Sequence, residues 1–383
     1  MDSFVAVKQL KLKKGKERSI QRKHHWVFSG AIATRDSSLK EGDLVQVLDS
    51  KENILAIGHF GEKSIAVRIL SFEVELKESF WRDKIKLAAE HRESLQLKDT
   101  NVYRLLHGEG DGLPGLIIDV YSNVFVVQTH SHGMSLALPK IEAALKEEFG
   151  AEIEIVHKTA IKQSSKSNSK IVEVLENGMK LKVDVGAGQK TGFFVDQRES
   201  RAELANLSES KKVLNVFSYT GGFSVAALKA GAKKVDSVDL SKSAIKLCSE
   251  NMALNAGKET IEHSEIVEDA FEFLSNKPLD YDIIVLDPPA FAKHLSAKKN
   301  ALRAYQRLNQ ICFQKVKPGT LVFTFSCSQV VSKQDFHYAI LNAGWNTNRG
   351  IKILKEFGQA KDHPVNLFHP ETDYLKGLLL YIE

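Results

Sequence analysis

KVLNVFSYTGGFS, at residues 212–224, combines the patterns of a strand, a glycine turn and the start of a helix. Its first six residues are an apolar run typical of a buried strand, and the pattern from Phe223 to Ala230 is that of an amphipathic helix. Gly221 and Gly222 lie between them, where they permit a tight turn and the close approach of a ligand to the backbone. The turn is neither the GxGxxG dinucleotide fingerprint nor a phosphate-binding loop with its lysine, which disfavours a nicotinamide oxidoreductase. We therefore expect a strand–turn–helix unit that binds another nucleotide cofactor.

Three further apolar runs of the buried-strand type follow this unit. They are KVDSVDL (234–240), DYDIIVLD (280–287) and GTLVFTF (319–325), and amphipathic segments such as Lys242 to Ala256 separate them. This alternation predicts an α/β domain with a parallel, doubly wound sheet from about Met179 onward. Ligands of such sheets bind beyond the carboxyl ends of the strands.

Two smaller domains are predicted before this sheet. Residues 1–77 contain short strands with alternating apolar residues and turn punctuation, a pattern typical of a small β-barrel. Residues 78–178 combine helical patterns with the strands GLIIDVY, VFVVQTH, EIEIVHK and IVEVLE, which predicts a central α+β domain. The polar stretch KQSSKSNSK (162–170) is predicted as an exposed loop between two of these strands. The third domain is then residues 179–383.

Length and composition exclude several classes of protein. The chain has 383 residues, of which 43% are hydrophobic and 26% charged, as in globular proteins of two or three domains. No apolar run approaches the roughly 18–20 residues of a membrane span, and the N-terminus lacks the apolar core of a signal peptide. The cysteines Cys248, Cys312 and Cys327 are too few and too far apart for a disulfide framework or a zinc site. A cytoplasmic protein with no metal site and no membrane partner is expected.

The N-terminal segment concentrates the positive charge. Met1 to His25 contains six lysines and two arginines against two acidic residues, whereas the whole chain has a net charge of +5. Clustered cations release counterions when they meet a nucleic-acid backbone, and the histidine and tryptophan rings that follow can stack on RNA bases. A solvated surface strand with outward-facing lysines is about equally compatible with this pattern. The candidate RNA-binding residues are Lys11, Lys13, Lys14, Arg22, Lys23, His25 and Trp26.

Acidic residues end the second and third strands of the predicted sheet. Asp239 follows the glycine turn by about 20 residues, where a carboxylate binds ribose hydroxyls. A strand-end aspartate also commonly caps the next helix, although Ser241 could cap it instead. Asp269 could accept a hydrogen bond from an adenine amino group or occupy an ordinary loop position.

Asp287 and Cys327 are the candidate reactive groups. Two prolines follow Asp287, and because they cannot continue a central strand, the chain must turn away at the ligand edge of the sheet. Cys327 follows the next strand at the same edge, whereas Cys248 and Cys312 lie in helical patterns and are expected to be buried. A thiolate that adds to C6 of cytosine makes C5 nucleophilic enough to take a methyl group, and a carboxyl group near N3 assists. Cys327 and Asp287 can fill these roles, and the base that removes the C5 proton is not indicated.

Seven motifs together resemble the bacterial 23S ribosomal RNA cytosine-5 methyltransferases. They are KTGFFVDQRESR (190–201), NVFSYTGGFS (215–224), VDLS (238–241), LDPPAF (286–291), TFSCS (324–328), KDHPV (361–365) and YLKG (374–377). The resemblance extends over nearly the whole chain. It implies an N-terminal PUA domain, a small central α+β domain and a C-terminal class I (Rossmann-like) methyltransferase domain. S-adenosylmethionine would be the cofactor and 23S rRNA the partner.

The resemblance also implies which residues form the cofactor site. These are Phe217, Tyr219, Thr220, Gly221, Asp239, Ser241, Asp269 and Asp287. Gln197 and Arg198 would approach the methionine end, where a cation suits the carboxylate. The basic N-terminal segment would belong to the PUA domain and contact RNA.

Two other functions remain open. Some RNA cytosine-5 methyltransferases carry a Pro-Cys pair after the fourth strand, where this chain has Pro288-Pro289, so that Cys327 must serve alone. DPPAF (287–291) partly resembles the (N/D)PP(Y/F) motif of N-methyltransferases, which makes a guanine N-methyltransferase acting on rRNA the main alternative. The second alternative is a non-catalytic RNA-binding assembly factor. The sequence is compatible with a homodimer but does not indicate one.

Overall fold

The computed structural model describes residues 8–159, 168–257 and 261–383. The start of the predicted first strand and most of the polar stretch at 162–170 lie outside these ranges. Within them, no helix is both long and apolar enough to cross a membrane.

Six short strands form the first sheet. The strands are β1 (Lys8–Leu12), β2 (Trp26–Phe28), β3 (Ile32–Arg35), β4 (Leu44–Leu48), β5 (Ile54–Phe60) and β6 (Ile65–Ser71), and helix α1 (Arg18–Gln21) follows β1. Their order is β2-β6-β5-β4-β1-β3, and neighbours are antiparallel except β1 and β4. Alternate side chains such as Leu10, Val45 and Val47 are fully buried, as one face of a half-buried sheet requires. The N-terminal β domain is therefore confirmed.

The second sheet has four strands and is covered by helices on one face. Its elements are α2 (Phe80–Ser94), β7 (Val102–His107), β8 (Leu116–Tyr121), β9 (Val124–Thr129), α3 (His132–Leu136), α4 (Leu138–Phe149) and β10 (Glu154–Thr159). The strand order is β10-β9-β8-β7, and only β9 and β10 are parallel. Ile85 of α2 and Ile141 of α4 lie in the core between the helices and this face, while the other face adds Tyr121 and Val126 to a core shared with the third domain.

The structure differs from the sequence prediction at two places in this sheet. The sequence shows a helical pattern from Leu136 to Phe149, which corresponds to α4, and the short helix α3 precedes it. Pro139 lies in the first turn of α4, where proline is tolerated. Strand β7 was not predicted, because Arg104 interrupts its apolar run. That arginine is buried, and two of its three donor nitrogens, Nε and Nη2, bond the carboxylate of Asp119 on the adjacent β8, at 2.7 and 2.8 Å.

Strands β11 (Ile171–Glu176) and β12 (Met179–Asp184) form a separate antiparallel hairpin. The hairpin spans the predicted domain boundary after residue 178. Its buried side chains, among them Val174 and Leu181, pack in the same core as Val213 and Phe223 of the third domain. We therefore propose that the third domain begins before Ile171 rather than at residue 179.

The third sheet has seven strands and provides the site described below. Its elements are α5 (Arg198–Leu207), β13 (Lys212–Val216), α6 (Gly222–Lys229), β14 (Lys234–Asp239), α7 (Lys242–Asn255), β15 (Glu262–Val267), α8 (Ala270–Asn276), β16 (Ile283–Leu286), α9 (Lys298–Lys315), β17 (Leu321–Ser326), α10 (Lys333–Thr347), β18 (Ile351–Phe357) and β19 (Lys376–Ile382). The order is β15-β14-β13-β16-β17-β19-β18, with β19 antiparallel to its neighbours and the other pairs parallel. The strand order reverses beside β13, the position at which such sheets bind ligands. The predicted doubly wound α/β domain is confirmed.

Candidate active site

The carboxyl ends of β13, β14, β16 and β17 surround a cavity of about 360 Å³. Eight of the predicted site residues line it: Gln197, Phe217, Tyr219, Thr220, Asp239, Asp269, Asp287 and Cys327. Parallel strands bring their carboxyl ends to one edge, so residues more than 100 positions apart in the chain share this cavity.

The loop after β13 is held in an uncommon backbone conformation. Phe217 and Tyr219 have φ values of 61° and 48°, in the left-handed region that bulky residues rarely adopt. The Tyr219 backbone N–H donates to Asp239 (2.9 Å), and its hydroxyl bonds the backbone N–H of Gln189 (2.9 Å) and the carbonyl of Gly192 (3.1 Å). These contacts hold a strained loop at the cavity wall, a combination that is characteristic of ligand-binding sites.

Gly221 and Ser241 have local structural roles. A Cβ atom on Gly221, which has φ of 83°, would lie 2.4 Å from Sγ of Cys248 in α7, so the glycine permits close packing of the turn on that helix. Ser241 caps α7 by accepting from Ala244 N at 3.3 Å. Neither residue lines the cavity, although their neighbours Thr220, Gly222 and Leu240 do, and their contact with the cofactor stays a prediction.

The two strand-end aspartates each bind the backbone while facing the cavity. Asp239 accepts from the N–H groups of Tyr219 and Ser241, and it therefore stabilises the loop as well as offering oxygens to a ligand. Asp269 is the N-cap of α8 and accepts from two N–H groups through Oδ1 alone. Its second oxygen, Oδ2, has no hydrogen bond among the described residues, so it can accept from a ligand.

Four buried polar atoms in the cavity wall have no hydrogen-bond partner within the described ranges. They are Asp196 Oδ1, Gln197 Oε1, Ser218 Oγ and Thr220 Oγ1. Buried polar groups are almost always satisfied, so these atoms indicate where a polar ligand binds. A nucleoside joined to an amino acid, which combines hydroxyl, amino and carboxylate groups, fits this donor and acceptor set.

Arg198 does not supply the cation that was predicted for the cavity. Its side chain is 3% exposed, and one guanidinium nitrogen bonds Asp362 (2.7 Å) and the carbonyl of Val102 (2.9 Å). Against the effect of burial, Asp362 raises the pKa of Arg198, so the charge is paired within the protein. Two other cations line the cavity wall, Arg201, which pairs with Glu176 at 2.6 Å, and Lys190, whose Nζ lies 3.4 Å from Asp196.

Asp196 and Lys190 were missed as individual site residues, although the motif at 190–201 contains both. Asp196 is 4% exposed and accepts from the Tyr374 hydroxyl at 2.5 Å. Burial opposes ionisation, but Lys190 and His363 nevertheless hold the pKa of Asp196 below its usual range. The carboxylate is therefore charged and suited to an ammonium group.

Asp287 and Cys327 both line this cavity. The Gln197 amide donates to Asp287 at 3.0 Å. Burial, followed by the charge of Asp196, raises the pKa of Asp287 to about 7. Burial likewise raises the pKa of Cys327 to about 11, although Lys190 acts in the opposite direction. At neutral pH the pair therefore consists of a thiol and a partly protonated carboxyl group.

A second, wider cavity of about 750 Å³ opens beside the first and is called the cleft here. All three domains line it, with Trp26 and Arg68 from the first, Arg104 and Gln128 from the second, and Lys293, Tyr374 and others from the third. Cys327 lines both the cleft and the smaller cavity, as do Gln189, Lys190, Phe194 and Pro289. The other two cysteines, Cys248 and Cys312, are fully buried in helices, as predicted.

The predicted RNA-binding residues fall into three groups. Lys13, Lys14, Arg22 and Lys23 are exposed, and Lys11 pairs with Glu52 at 3.1 Å. Trp26 lines the cleft and donates its ring N–H to Glu109 at 2.8 Å. His25 is 6% exposed and its ring nitrogen Nδ1 lies 2.9 Å from the carbonyl of Ile69, so the predicted RNA contact of this residue is corrected.

Comparisons with known protein families match two parts of this chain. A family of S-adenosylmethionine-dependent methyltransferases matches residues 155–336, and a PUA-like domain family matches residues 10–72. The chain is 34% identical over 395 aligned residues to "Ribosomal RNA large subunit methyltransferase I" of Cronobacter sakazakii, covering 98% of this chain and 99% of that one. It is 35% identical over 390 residues to the Escherichia coli protein of the same name, covering 96% and 98%.

Solved structures share the fold. SMU.776, solved as a complex with SAH, superposes with a TM-score of 0.84 at 24% identity, covering 97% of this chain and 99% of that one. The tRNA m1G37 methyltransferase of M. jannaschii superposes with a TM-score of 0.51 at 17% identity, covering 86% and 88%. S-adenosylmethionine is therefore the cofactor of this chain.

Proposed function

Since this chain belongs to the ribosomal RNA large subunit methyltransferase I family, we propose that it methylates C5 of a cytosine in large-subunit rRNA through a covalent bond to Cys327. A cytoplasmic location is part of this proposal. The observation that carries it is the position of the Cys327 thiol, which lines both the cofactor cavity and the cleft. A nucleophile at that junction can reach a base that enters from the cleft.

Each protein group has one task in the proposed reaction. The Cys327 sulfur adds to C6 of the base, and electron density moves to N3 and C5. The Asp287 carboxyl group, with a pKa raised by burial to about 7, is protonated in part of the molecules and donates its proton to N3. S-adenosylmethionine supplies the activated methyl group that C5 acquires. A base then takes the C5 proton, the C6–S bond breaks to release the Cys327 thiolate, and N3 returns its proton to the Asp287 carboxylate.

The thiol must lose its proton when the base binds. The negative charge of Asp287 is one of the causes that raise the pKa of Cys327, so protonation of that carboxyl group favours the thiolate. Lys190 and Lys376 act in the same direction because their charges lower the pKa of Cys327. We propose that the Cys327 proton passes to Asp287 and from there to N3, which keeps the charge of the pair constant.

The proposal is tested with RNA that contains 5-fluorocytidine. Fluorine at C5 cannot be removed as a proton is, so the covalent adduct persists after methyl transfer and migrates as a protein–RNA species on a denaturing gel. We expect the adduct with the wild type and with Cys312→Ala, and none with Cys327→Ala. Calorimetry with S-adenosylmethionine checks that Cys327→Ala still binds the cofactor. Methylation by Cys327→Ala at the wild-type rate would refute the covalent mechanism.

The high pKa of Cys327 favours one other function, guanine N-methylation, which requires no thiolate. Nucleoside mass spectrometry of rRNA after incubation with the protein separates the two. A product of 5-methylcytidine supports the proposal, whereas methylguanosine overturns it in favour of the alternative.

A further inference from the structure

Three side chains that the proposed reaction does not use meet beside the cleft. His24 precedes β2 in the first domain, while His369 and Glu371 belong to the segment between β18 and β19. The Glu371 carboxylate lies 3.3 Å from Nε2 of His24 and 3.7 Å from Nε2 of His369, and one ligand atom from each residue lies within 4.8 Å of the other two. We propose that these three residues, called the His–Glu cluster here, bind one divalent transition-metal ion, with Zn²⁺ the best match.

The environment of His369 is the strongest argument. The residue is 0% exposed, and neither ring nitrogen has a hydrogen-bond partner in the part of the chain that the structure describes. A buried imidazole without partners is rare and indicates a place for an ion or an ordered water. Because neither nitrogen is engaged by the described residues, the ring of His369 has a lone pair available for a metal.

The donor set and its spacing suit zinc. Ligands at about 2.0–2.1 Å from a tetrahedral ion stand about 3.4 Å apart, close to the two observed separations. Two histidines and one glutamate are a common zinc donor set that leaves one coordination position open. Nδ1 of His24 lies 3.4 Å from the carbonyl of Trp26 and 3.2 Å from the backbone N–H of the same residue. Metal binding through Nε2 requires the tautomer in which Nδ1 carries the proton and donates to that carbonyl. The rings of His24 and His369 stack at 4.2 Å with a tilt of 30°, so binding requires a side-chain rotation that splays them.

A metal ion bound by the His–Glu cluster would lie beside the cleft. His369 and Glu371 line the cleft, so a bound ion would lie at the border of the space that the RNA would enter. The Glu371 carbonyl also accepts from the side chain of Gln329 at 3.0 Å, two residues after Cys327. A bound ion would therefore fix the first domain relative to the segment that carries the thiol.

Metal binding to the full-length protein tests this inference. After removal of metals with a chelator, the protein is titrated with Zn²⁺ by calorimetry and with Co²⁺ by visible absorption. We expect one ion per chain and an affinity at least about tenfold lower in His369→Gln and Glu371→Gln. His157→Gln is the matched control, because it removes an exposed histidine that lies 3.2 Å from Glu142 but has no third ligand among the residues that the structure describes.

Thermal unfolding provides the second readout. Zn²⁺ should raise the melting temperature of the wild type and of His157→Gln, since an ion that binds only the folded state stabilises it, and should not raise that of Glu371→Gln. Circular dichroism checks that each variant is folded. Binding that is equal in wild type and His369→Gln, or no binding by the wild type, would overturn the inference. Neither readout depends on methylation, so the result is independent of the proposed function.

Discussion

Replacement of Asp287 by asparagine should change how the methylation rate depends on pH. In the wild type, the reactive form has Asp287 protonated and Cys327 ionised, but their pKa values are about 7 and about 11. Below pH 7, kcat/KM should rise about tenfold per pH unit, because the fraction of thiolate rises while Asp287 stays protonated. Above pH 7, the gain in thiolate is balanced by the loss of protonated Asp287, and a plateau follows.

The magnitude comes from the separation of the two pKa values. They differ by about four units, so that about one molecule in ten thousand carries the reactive pair on the plateau. This corresponds to about 5 kcal/mol, which binding of the base must offset. In Asp287→Asn the carboxyl group no longer titrates and its charge no longer raises the pKa of Cys327. The rate of the variant should therefore continue to rise above pH 7, without the break that the wild type shows there.

Stability gives an independent check on the same carboxyl group. Burial raises the pKa of Asp287 in the folded state from 3.8 to about 7, so the stability that the group contributes is present below pH 4 and is lost as the pH rises to 7. Asp287→Asn should therefore unfold like the wild type at pH 4 and be more stable at pH 8, by up to about 4 kcal/mol. Urea denaturation at the two pH values measures the difference.

The rate assay measures transfer of a tritiated methyl group to rRNA at limiting RNA between pH 5.5 and 9, at constant ionic strength. Calorimetry with S-adenosylmethionine at each pH separates an effect on the reactive pair from an effect on cofactor binding. The reasoning would be refuted by a wild-type rate that keeps rising through pH 7 with an unchanged slope. A break at pH 7 that persists in Asp287→Asn would assign the titration to another group.

Two further substitutions test the packing of the loop and the basic segment. Gly221→Ala should lower the free energy of unfolding, measured in urea, by about 1–3 kcal/mol, because the new Cβ lies 2.4 Å from Cys248 Sγ. Gly231→Ala is the control, since Gly231 has a similar φ of 79° but no atom within 4 Å of the new Cβ. It measures the effect of backbone strain alone and should lower the free energy of unfolding by less. Lys14→Glu should weaken RNA binding and reduce the salt dependence of the affinity, by about 0.7 to 0.9 in the slope of log K against log salt if Lys14 contacts a phosphate. Lys246→Glu in α7 is the control of equal charge change, and an equal loss of affinity there would argue against a local role for the N-terminal segment.

Residues at strand ends were placed well by sequence reasoning. Asp239, Asp287 and Cys327 each follow a recognisable apolar run, and the parallel arrangement of such strands places their carboxyl ends at one edge. The cavity at that edge contains all three. No knowledge of distant contacts was needed, because the pattern of each strand is local.

The sequence predicts less well the environment of residues that pair with distant parts of the chain. The charge of Arg198 is visible in the sequence, but its pairing with Asp362, 164 positions away, is not. His25 follows a basic segment, yet its ring is buried against the carbonyl of Ile69. A titratable side chain can pair with the protein or remain free for a ligand, and the choice depends on which distant segment packs beside it.

The order of residues along this chain is enough to specify the doubly wound sheet, the glycine turn and the strand-end groups, because hydrophobic periodicity and turn chemistry act over a few neighbouring positions. The cleft is different, since it exists only where Trp26, Arg104 and Tyr374 of three separate domains face one another. The same is true of the His–Glu cluster, which joins His24 to residues near the opposite end of the chain. Burial and the pKa values of Asp287 and Cys327 likewise result from packing between distant segments, so they are properties of the folded molecule that no local pattern encodes.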